Sequence, residues 1–230
     1  MNSIRIIIPV YNEAETLLSF YNHIQSRIHD PENTSITFVD GGSTDDTVRL
    51  IQQTDALLLQ SPKKGRANQM NYGAQHSHED VFYFLHCDSI PPNHFDKKIR
   101  STVLNNYQSG CFRMKFDNNH PILSISGWFT RLPWKICRGG DQSLFITKSL
   151  FEKIGGYDSE LTVFEDIEII ERIKQETRFK VIQETLTTSA RRYRDNGVFR
   201  LQSLFAILHL MYTFGYSQER IIKFYKKHVR

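Results

Sequence analysis

Four short apolar runs occupy the first 86 residues: IRIIIPV (4–10), SITFVD (35–40), ALLLQ (56–60) and DVFYFLH (80–86). Runs of this length, rich in Ile, Val and Phe and bounded by turn residues, read as strands. Helix signals lie between them. Asn12 is placed to cap a helix running to about Arg27, Ser43 or Thr44 to cap one ending near Gln53, and GRANQMNYGAQHS reads as loop then helix. Strands that alternate with helices at this spacing predict an α/β protein, with a mostly parallel central sheet flanked by helices. In such a sheet ligands bind beyond the carboxyl ends of the strands.

Those ends are PVYNE, VDGGS, QSPKKGR and HCDS. All four are polar, and three carry an acid: Glu13, Asp40 and Asp88. The fourth run is the most abrupt. Tyr83, Phe84 and Leu85 suit a sheet interior, His86, Cys87, Asp88 and Ser89 do not, and Pro91 and Pro92 forbid continuation. One polar strand end is routine, whereas four that converge predict a site.

The second half is less regular. GCFRMKF (110–116) and QSLFIT (142–147) read as strands, HPILSISGWFTRLPW as a loop or short helix, and KSLFEKIGGYD as a short helix stopped by Gly155-Gly156. FEDIEIIERIKQ (164–175) is an amphipathic helix with Ile167, Ile170 and Ile173 near one face. Two further helices flank Gly215-Tyr216-Ser217. No linker separates these segments, so residues 1–230 read as a single domain.

Composition sets outer limits. Of 230 residues, 40% are hydrophobic and 23% charged, which is ordinary for a globular protein. A net charge of +4 suits anionic ligands such as phosphates, or a membrane surface, and is too small to indicate nucleic acid. Three cysteines, Cys87, Cys111 and Cys137, without a CxxC spacing, argue against a disulfide framework or structural zinc and fit a reducing compartment. The apolar stretch 204–216 is shorter than the roughly 20 residues a bilayer span needs. The expectation is therefore a cytoplasmic protein, with peripheral membrane contact open through its C-terminal helices.

PVYNEAETL, VDGGSTDDT, GRANQMNYGA and FLHCDS, in this order, resemble the nucleotide-sugar half of a family 2 glycosyltransferase. GDQSLF, GGYDSELTVFEDIEIIERI and SARRYRDNGVFR extend the likeness through an acceptor half, so that it covers roughly residues 4 to 200. The resemblance implies a GT-A-type nucleotide-diphospho-sugar transferase fold. On this reading residues 1–117 bind the nucleotide-sugar, 118–200 hold the acceptor and catalytic groups, and 201–230 form C-terminal helices.

The resemblance also implies roles. Asp40, with Pro9, Tyr11 and Glu13, would line a nucleoside pocket, although a turn before Gly41-Gly42 also accounts for an Asp there. Lys63, Lys64 and Arg66 bring positive charge after the third strand, and Arg66 and Asn68 would contact the nucleotide; a solvated basic loop is the plainer alternative. The family usually ends its fourth strand in Asp-x-Asp, whose carboxylate holds a divalent cation on the diphosphate. Here Cys87-Asp88-Ser89 leaves Asp88 alone to hold Mn²⁺ or Mg²⁺, with diphosphate and water supplying the other ligands. His86 is either a further ligand, which would favour Mn²⁺, or, more commonly at a strand end, a hydrogen-bonded histidine. Cys87 would point away and pack.

Glu165 and Asp166 open the amphipathic helix, where acids stabilise the helix dipole in any case. They also match the family's Glu-Asp motif, which implies that Asp166 is the general base, with Glu165 in reserve. One base without a paired nucleophile implies single displacement and inversion. Asp141 and Gln142 would meet acceptor or sugar, or simply form a turn. Among Arg191, Arg192 and Arg194, Arg192 is assigned to the diphosphate. The expected donor is a UDP-sugar, with GDP-sugars as the alternative, and the acceptor is a lipid or a small molecule. A non-catalytic nucleotide binder of the same fold is the rival, but it has no use for a base. A dinucleotide oxidoreductase fails because VDGGST is not GxGxxG, and a nucleotidyltransferase wants a basic glycine-rich loop where YNEAETL stands.

Overall fold

The structure is a computed structural model and describes residues 2–132 and 142–229. Asp141 and Cys137 lie outside the described residues.

Strand β1 (Ile4–Val10) lies at the centre of the predicted parallel unit. It pairs in parallel with β2 (Thr34–Asp40) on one side and β4 (Val81–Phe84) on the other, and β2 pairs in parallel with β3 (Leu57–Gln60). Its side chains alternate between two cores, as a strand covered on both faces requires. Ile4, Ile6 and Ile8 join one cluster, with Leu17, Phe20 and Ile24 of α1 (Leu17–Gln25) and Phe95 and Ile99 of α4 (Phe95–Leu104). Ile7 joins the other, with Met70 and Ala74 of α3 (Arg66–Gln75), Phe151 of α6 (Lys148–Lys153) and Ile169, Ile170 and Ile173 of α7 (Glu165–Glu176).

Beyond β4 the sheet is mixed. β7 (Leu144–Thr147) runs antiparallel to β4, and β6 (Ser109–Phe116) antiparallel to β7. β8 (Phe179–Thr188) is parallel to β6, and the short β5 (Ser89–Ile90) is antiparallel to β8. The order is β3-β2-β1-β4-β7-β6-β8-β5. Strand β8 has no counterpart in the sequence reading. Its second half, QETLTT, is polar and β-branched, and it bulges against β6 between Phe112 and Arg113.

Helix starts also move. Asn12 sits at φ 54°, and the first helix begins at Leu17; α2 (Thr47–Ile51) begins four residues beyond Ser43. The expected caps are used instead between loops: the Asn12 N–H donates to Ser43 Oγ at 2.9 Å, and Asn12 Oδ1 accepts from the Thr44 N–H at 2.8 Å. HPILSISGWF folds as α5 (Pro121–Phe129), with proline in its first turn. After β8 come α8 (Arg191–Asn196), α9 (Val198–Thr213) and α10 (Gln218–His228), the last two separated at Gly215, where φ is +73°.

Candidate functional site

A cavity of about 210 Å³ opens at the carboxyl ends of β1 and β4. Pro9, Tyr11 and Glu13 reach it from the end of β1, and Arg66 and Gln69 from the start of α3. His86, Cys87 and Asp88 come from the turn after β4, and Arg192 from α8. Six residues expected at a donor or metal site (Pro9, Tyr11, Glu13, Arg66, Asp88 and Arg192) are thus brought together. This follows from strand direction, because β1, β2, β3 and β4 all end on the same edge.

Asp40 is placed otherwise. It is 3% exposed, and its carboxylate accepts from the N–H of Gly42 at 2.9 Å and of Ser43 at 3.1 Å, and from Ser43 Oγ at 2.5 Å. Here its carboxylate performs the turn role, folding the loop after β2 on itself. Asn68, half-buried, does not border the cavity; its Nδ2 donates one turn back to the Lys64 carbonyl at 2.9 Å. Gln142 is buried, with its Oε1 3.9 Å from Cys111 Sγ, so it faces the protein interior rather than a flexible turn.

The turn after β4 answers how one strand delivers both acid and histidine. The ladder ends at Phe84, and the Ser89 N–H donates back to the His86 carbonyl at 3.1 Å. Cys87 also borders the cavity, while it is buried in the core cluster with Leu85 and Phe95, in keeping with the expected packing role. Burial, followed by the nearby Glu13 and Asp88 carboxylates, pushes the Cys87 thiol far up, so it stays protonated. Asp88 is held from the end of β8: Ser89 Oγ, 3.0 Å from Thr188 Oγ1, donates to Asp88 Oδ1 at 3.1 Å, and the Ser189 N–H donates to the Asp88 carbonyl at 3.0 Å.

Glu165 and Asp166 begin α7 directly after Phe164, whose φ is +70°. The two carboxylates differ in company. Glu165, 1% exposed, pairs with Arg66 at 2.6 Å, while Asp166 Oδ2 lies 3.9 Å from His86 Nε2. Both are therefore tied to residues of the cavity wall. The three arginines of ARRYR also separate. Arg192 faces the cavity, Arg191 lies 3.8 Å from Glu13, and Arg194 lies 3.7 Å from Asp117.

Three residues were missed by the sequence reading. Gln69 is buried, and its Nε2 donates to the carbonyls of Val10 at 2.9 Å and Val39 at 2.7 Å, joining the ends of β1 and β2. Its signal is a polar residue on the face shared by Ala67, Met70 and Gly73. Asn71 clamps the Tyr157 backbone, donating to its carbonyl and accepting from its N–H, both at 2.8 Å. Tyr157 is buried, and that burial, with Asp166 and Glu165 next, raises its hydroxyl well above the usual phenol range, so it remains neutral.

Comparisons with known proteins identify the family and the fold. The model of "Glycosyl transferase family 2" matches residues 5–149. A curated relative, glycosyltransferase AglE of Haloferax volcanii, is 27% identical over 106 residues, taking in 44% of this chain and 35% of its own. The aligned part thus spans about a third of that relative. TarS of S. aureus in complex with UDP-GlcNAc superposes with a TM-score of 0.66 at 14% identity, over 81% of this chain and 58% of that one. Mannosyltransferase PcManGT of Pyrobaculum calidifontis, in complex with GDP-Man and Mn²⁺, gives 0.67 at 17% identity, over 90% and 62%. Identities this low speak for the fold, which is of the GT-A type.

Proposed function

This chain belongs to glycosyl transferase family 2, and we propose that it moves a sugar from a nucleoside diphosphate donor to an acceptor hydroxyl with inversion. The observation that carries the reading is the convergence of Asp88, Arg66 and Arg192 on one cavity whose wall is tied to the Glu165-Asp166 pair. Two guanidiniums suit diphosphate oxygens. At about 210 Å³ the cavity is smaller than the roughly 300–1,000 Å³ that encloses a drug-sized ligand, so it suits the diphosphate, with base and sugar along its mouth.

Asp166 is the proposed base, because Glu165 is already engaged with Arg66. Its carboxylate would take the acceptor proton as the oxygen attacks the anomeric carbon. His86 Nε2 lies 3.9 Å from Asp166 Oδ2, beyond direct hydrogen-bond reach, and borders the same cavity. Tyr157, buried and neutral near the two acids, is a packing neighbour of the site and no candidate for the base.

A divalent cation fits this site in one way. Among the described residues no three His, Cys, Asp or Glu side chains come together as a metal-binding group. Asp88, a hard oxygen donor on the cavity wall, would therefore hold Mn²⁺ or Mg²⁺ jointly with the donor's diphosphate. When bound, the ion would neutralise the charge that builds on the leaving diphosphate. A UDP-sugar remains the proposed donor and a GDP-sugar the alternative; the complexes of TarS with UDP-GlcNAc and of PcManGT with GDP-Man support a nucleotide-sugar in general.

Calorimetry with UDP, GDP and ADP, each with Mn²⁺, with Mg²⁺ and with EDTA, tests the reading. One nucleotide should bind selectively and more tightly with metal, and Asp88→Asn should remove the metal's gain while leaving the EDTA affinity. Binding of none of the three would overturn the transferase reading in favour of a non-catalytic relative. An unchanged metal gain in the variant would move the ion away from Asp88.

A further inference from the structure

Among the described residues eleven large apolar side chains are exposed, and eight of them lie on α5, on α9 or in the turn after α9. Helix α9 explains the concentration. Its inner face buries Leu201 and Leu208 and packs Val198 and Phe205 against the core. Its outer face repeats at helical spacing with Phe199 (71% exposed), Ile207, Leu210 (56%) and, at the helix end, Phe214 (74%). A helix apolar on both sides has an unfilled requirement for burial on the outer one. Helix α5 begins beside it, the His120 ring 5.9 Å from Phe199, and adds exposed Ile125 and Trp128.

Charge identifies the occupant. Residues 198–230 contain six Lys or Arg and one acid, Glu219, a net +5 against +4 for the whole chain. The protein's basicity thus resides in this segment, and the remainder is slightly acidic. Lys223, Lys226 and Lys227 of α10 are all exposed, and α10 joins α9 through a bond from Arg200 Nη2 to the His228 carbonyl at 3.1 Å. An apolar stripe beside clustered lysines matches the acyl boundary and anionic headgroups of a bilayer. A second copy fits poorly, because twofold pairing would set +5 against +5. Among the described residues no helix is long and apolar enough to cross a membrane, so the contact lies at the surface.

We propose that α9 and α10 form a docking face for an anionic lipid surface, with Phe199, Leu210 and Phe214 entering the acyl boundary and Lys223, Lys226 and Lys227 at the headgroups. The face adjoins the site: Phe164, which precedes Glu165, packs against His209 and Tyr212 of α9 at 5.0 and 4.9 Å between ring centres. Docking is independent of the transferase reading, since it needs neither donor nor acceptor.

Cosedimentation of the full chain with extruded vesicles tests it, using phosphatidylcholine with and without phosphatidylglycerol. The protein should pellet with the anionic vesicles only, and high salt should release it. Lys223→Gln/Lys226→Gln/Lys227→Gln should weaken partitioning by about a hundredfold, from roughly 1 kcal/mol per basic residue. Phe199→Ser/Leu210→Ser/Phe214→Ser changes only exposed positions and should also abolish pelleting, with an unaltered far-ultraviolet spectrum. Absence of pelleting with anionic vesicles, or serine and wild-type chains that pellet alike, would overturn the proposal. So would a wild-type dimer in solution that the serine variant converts to monomer, since the face would then join two copies.

Discussion

Glu165 and Asp166 are neighbours in the chain and unlike in their surroundings, and this difference allows their roles to be assigned. Glu165 has Arg66 at 2.6 Å, whereas Asp166 Oδ2 has a histidine nitrogen at 3.9 Å. A carboxylate already engaged by a guanidinium is held in place by it and is less available to meet an acceptor hydroxyl. Asp166→Asn should therefore lower the transfer rate by about 10²–10⁴-fold, the usual worth of a general base, with nucleotide affinity near wild type. Glu165→Gln should weaken nucleotide binding as well, because it releases Arg66 from its place on the cavity wall. Rates and affinities for the two variants in parallel decide the matter: a lost nucleotide affinity in Asp166→Asn would move that residue to the donor. In the sequence, the choice of Asp166 over Glu165 rests on the family resemblance alone. In the structure it depends on Arg66 and His86, which lie far away in the chain and meet the acids only through the sheet.

At the scale of elements, the strands most plainly legible are those with an unbroken apolar run, buried as in β1 and β4 or at the sheet edge as in β3. IRIIIPV and VFYF need no alternation to be read, and β1 begins and ends where its apolar run does. Strand β8 escaped because QETLTT carries no apolar run, and only pairing with β6 and β5 makes it a strand. The helix starts escaped for a related reason: Asn12 and Ser43 are good caps locally, but each finds a better partner in the facing loop. Helix α3, which carries Arg66 and Gln69 to the cavity, was legible as a helix but not in its closeness to the sheet. A Cβ on Gly73 would stand 2.6 Å from Ile7 Cγ2 and 2.9 Å from Val39 Cγ2, at the point where α3 crosses β1 and β2. Gly73→Ala should accordingly destabilise by about 1–3 kcal/mol through overpacking, despite alanine's better helix propensity. It should also weaken nucleotide binding, because pushing α3 outward loosens both Gln69 bonds that join the ends of β1 and β2. Urea denaturation together with nucleotide titration checks this, and a stabilised variant would show that the helix is free to shift.

Across the whole molecule, stability and chemistry occupy opposite ends of the sheet. The cavity lies at the carboxyl ends of β1 and β4, whereas a buried ionic cluster fastens the amino ends. Asp96, fully buried on α4, accepts from the N–H groups of His29 and Asp30 at 2.9 Å each and from Arg100 Nη1 at 2.7 Å. Arg100 in turn donates to the carbonyls of Asn2 and Asn33, both at 2.8 Å, and to Thr34 Oγ1 at 2.7 Å, so one pair fixes α4 to the starts of β1 and β2. Burial pushes the Asp96 carboxyl up, but the His29 N–H, the Arg100 guanidinium and the Asp30 N–H outweigh it, and the group ends below the usual range. Glu79, paired with Arg5 near the same end, is lowered in the same way against its own burial. A depressed carboxyl contributes stability that is complete above its unfolded value, about 3.9 for Asp, and is lost as pH falls through the folded value. Asp96→Asn leaves Arg100 buried beside a neutral amide and should cost about 3–5 kcal/mol at neutral pH. The deficit should shrink on acidification, because the wild type loses what the variant already lacks. Urea midpoints from pH 7 down to the acid limit, taken on both proteins, should converge, and parallel curves would show that Asp96 does not carry the acid sensitivity. Nucleotide affinity per folded molecule should meanwhile be the same in both, since the cluster and the cavity lie at opposite ends of the strands and share no residue.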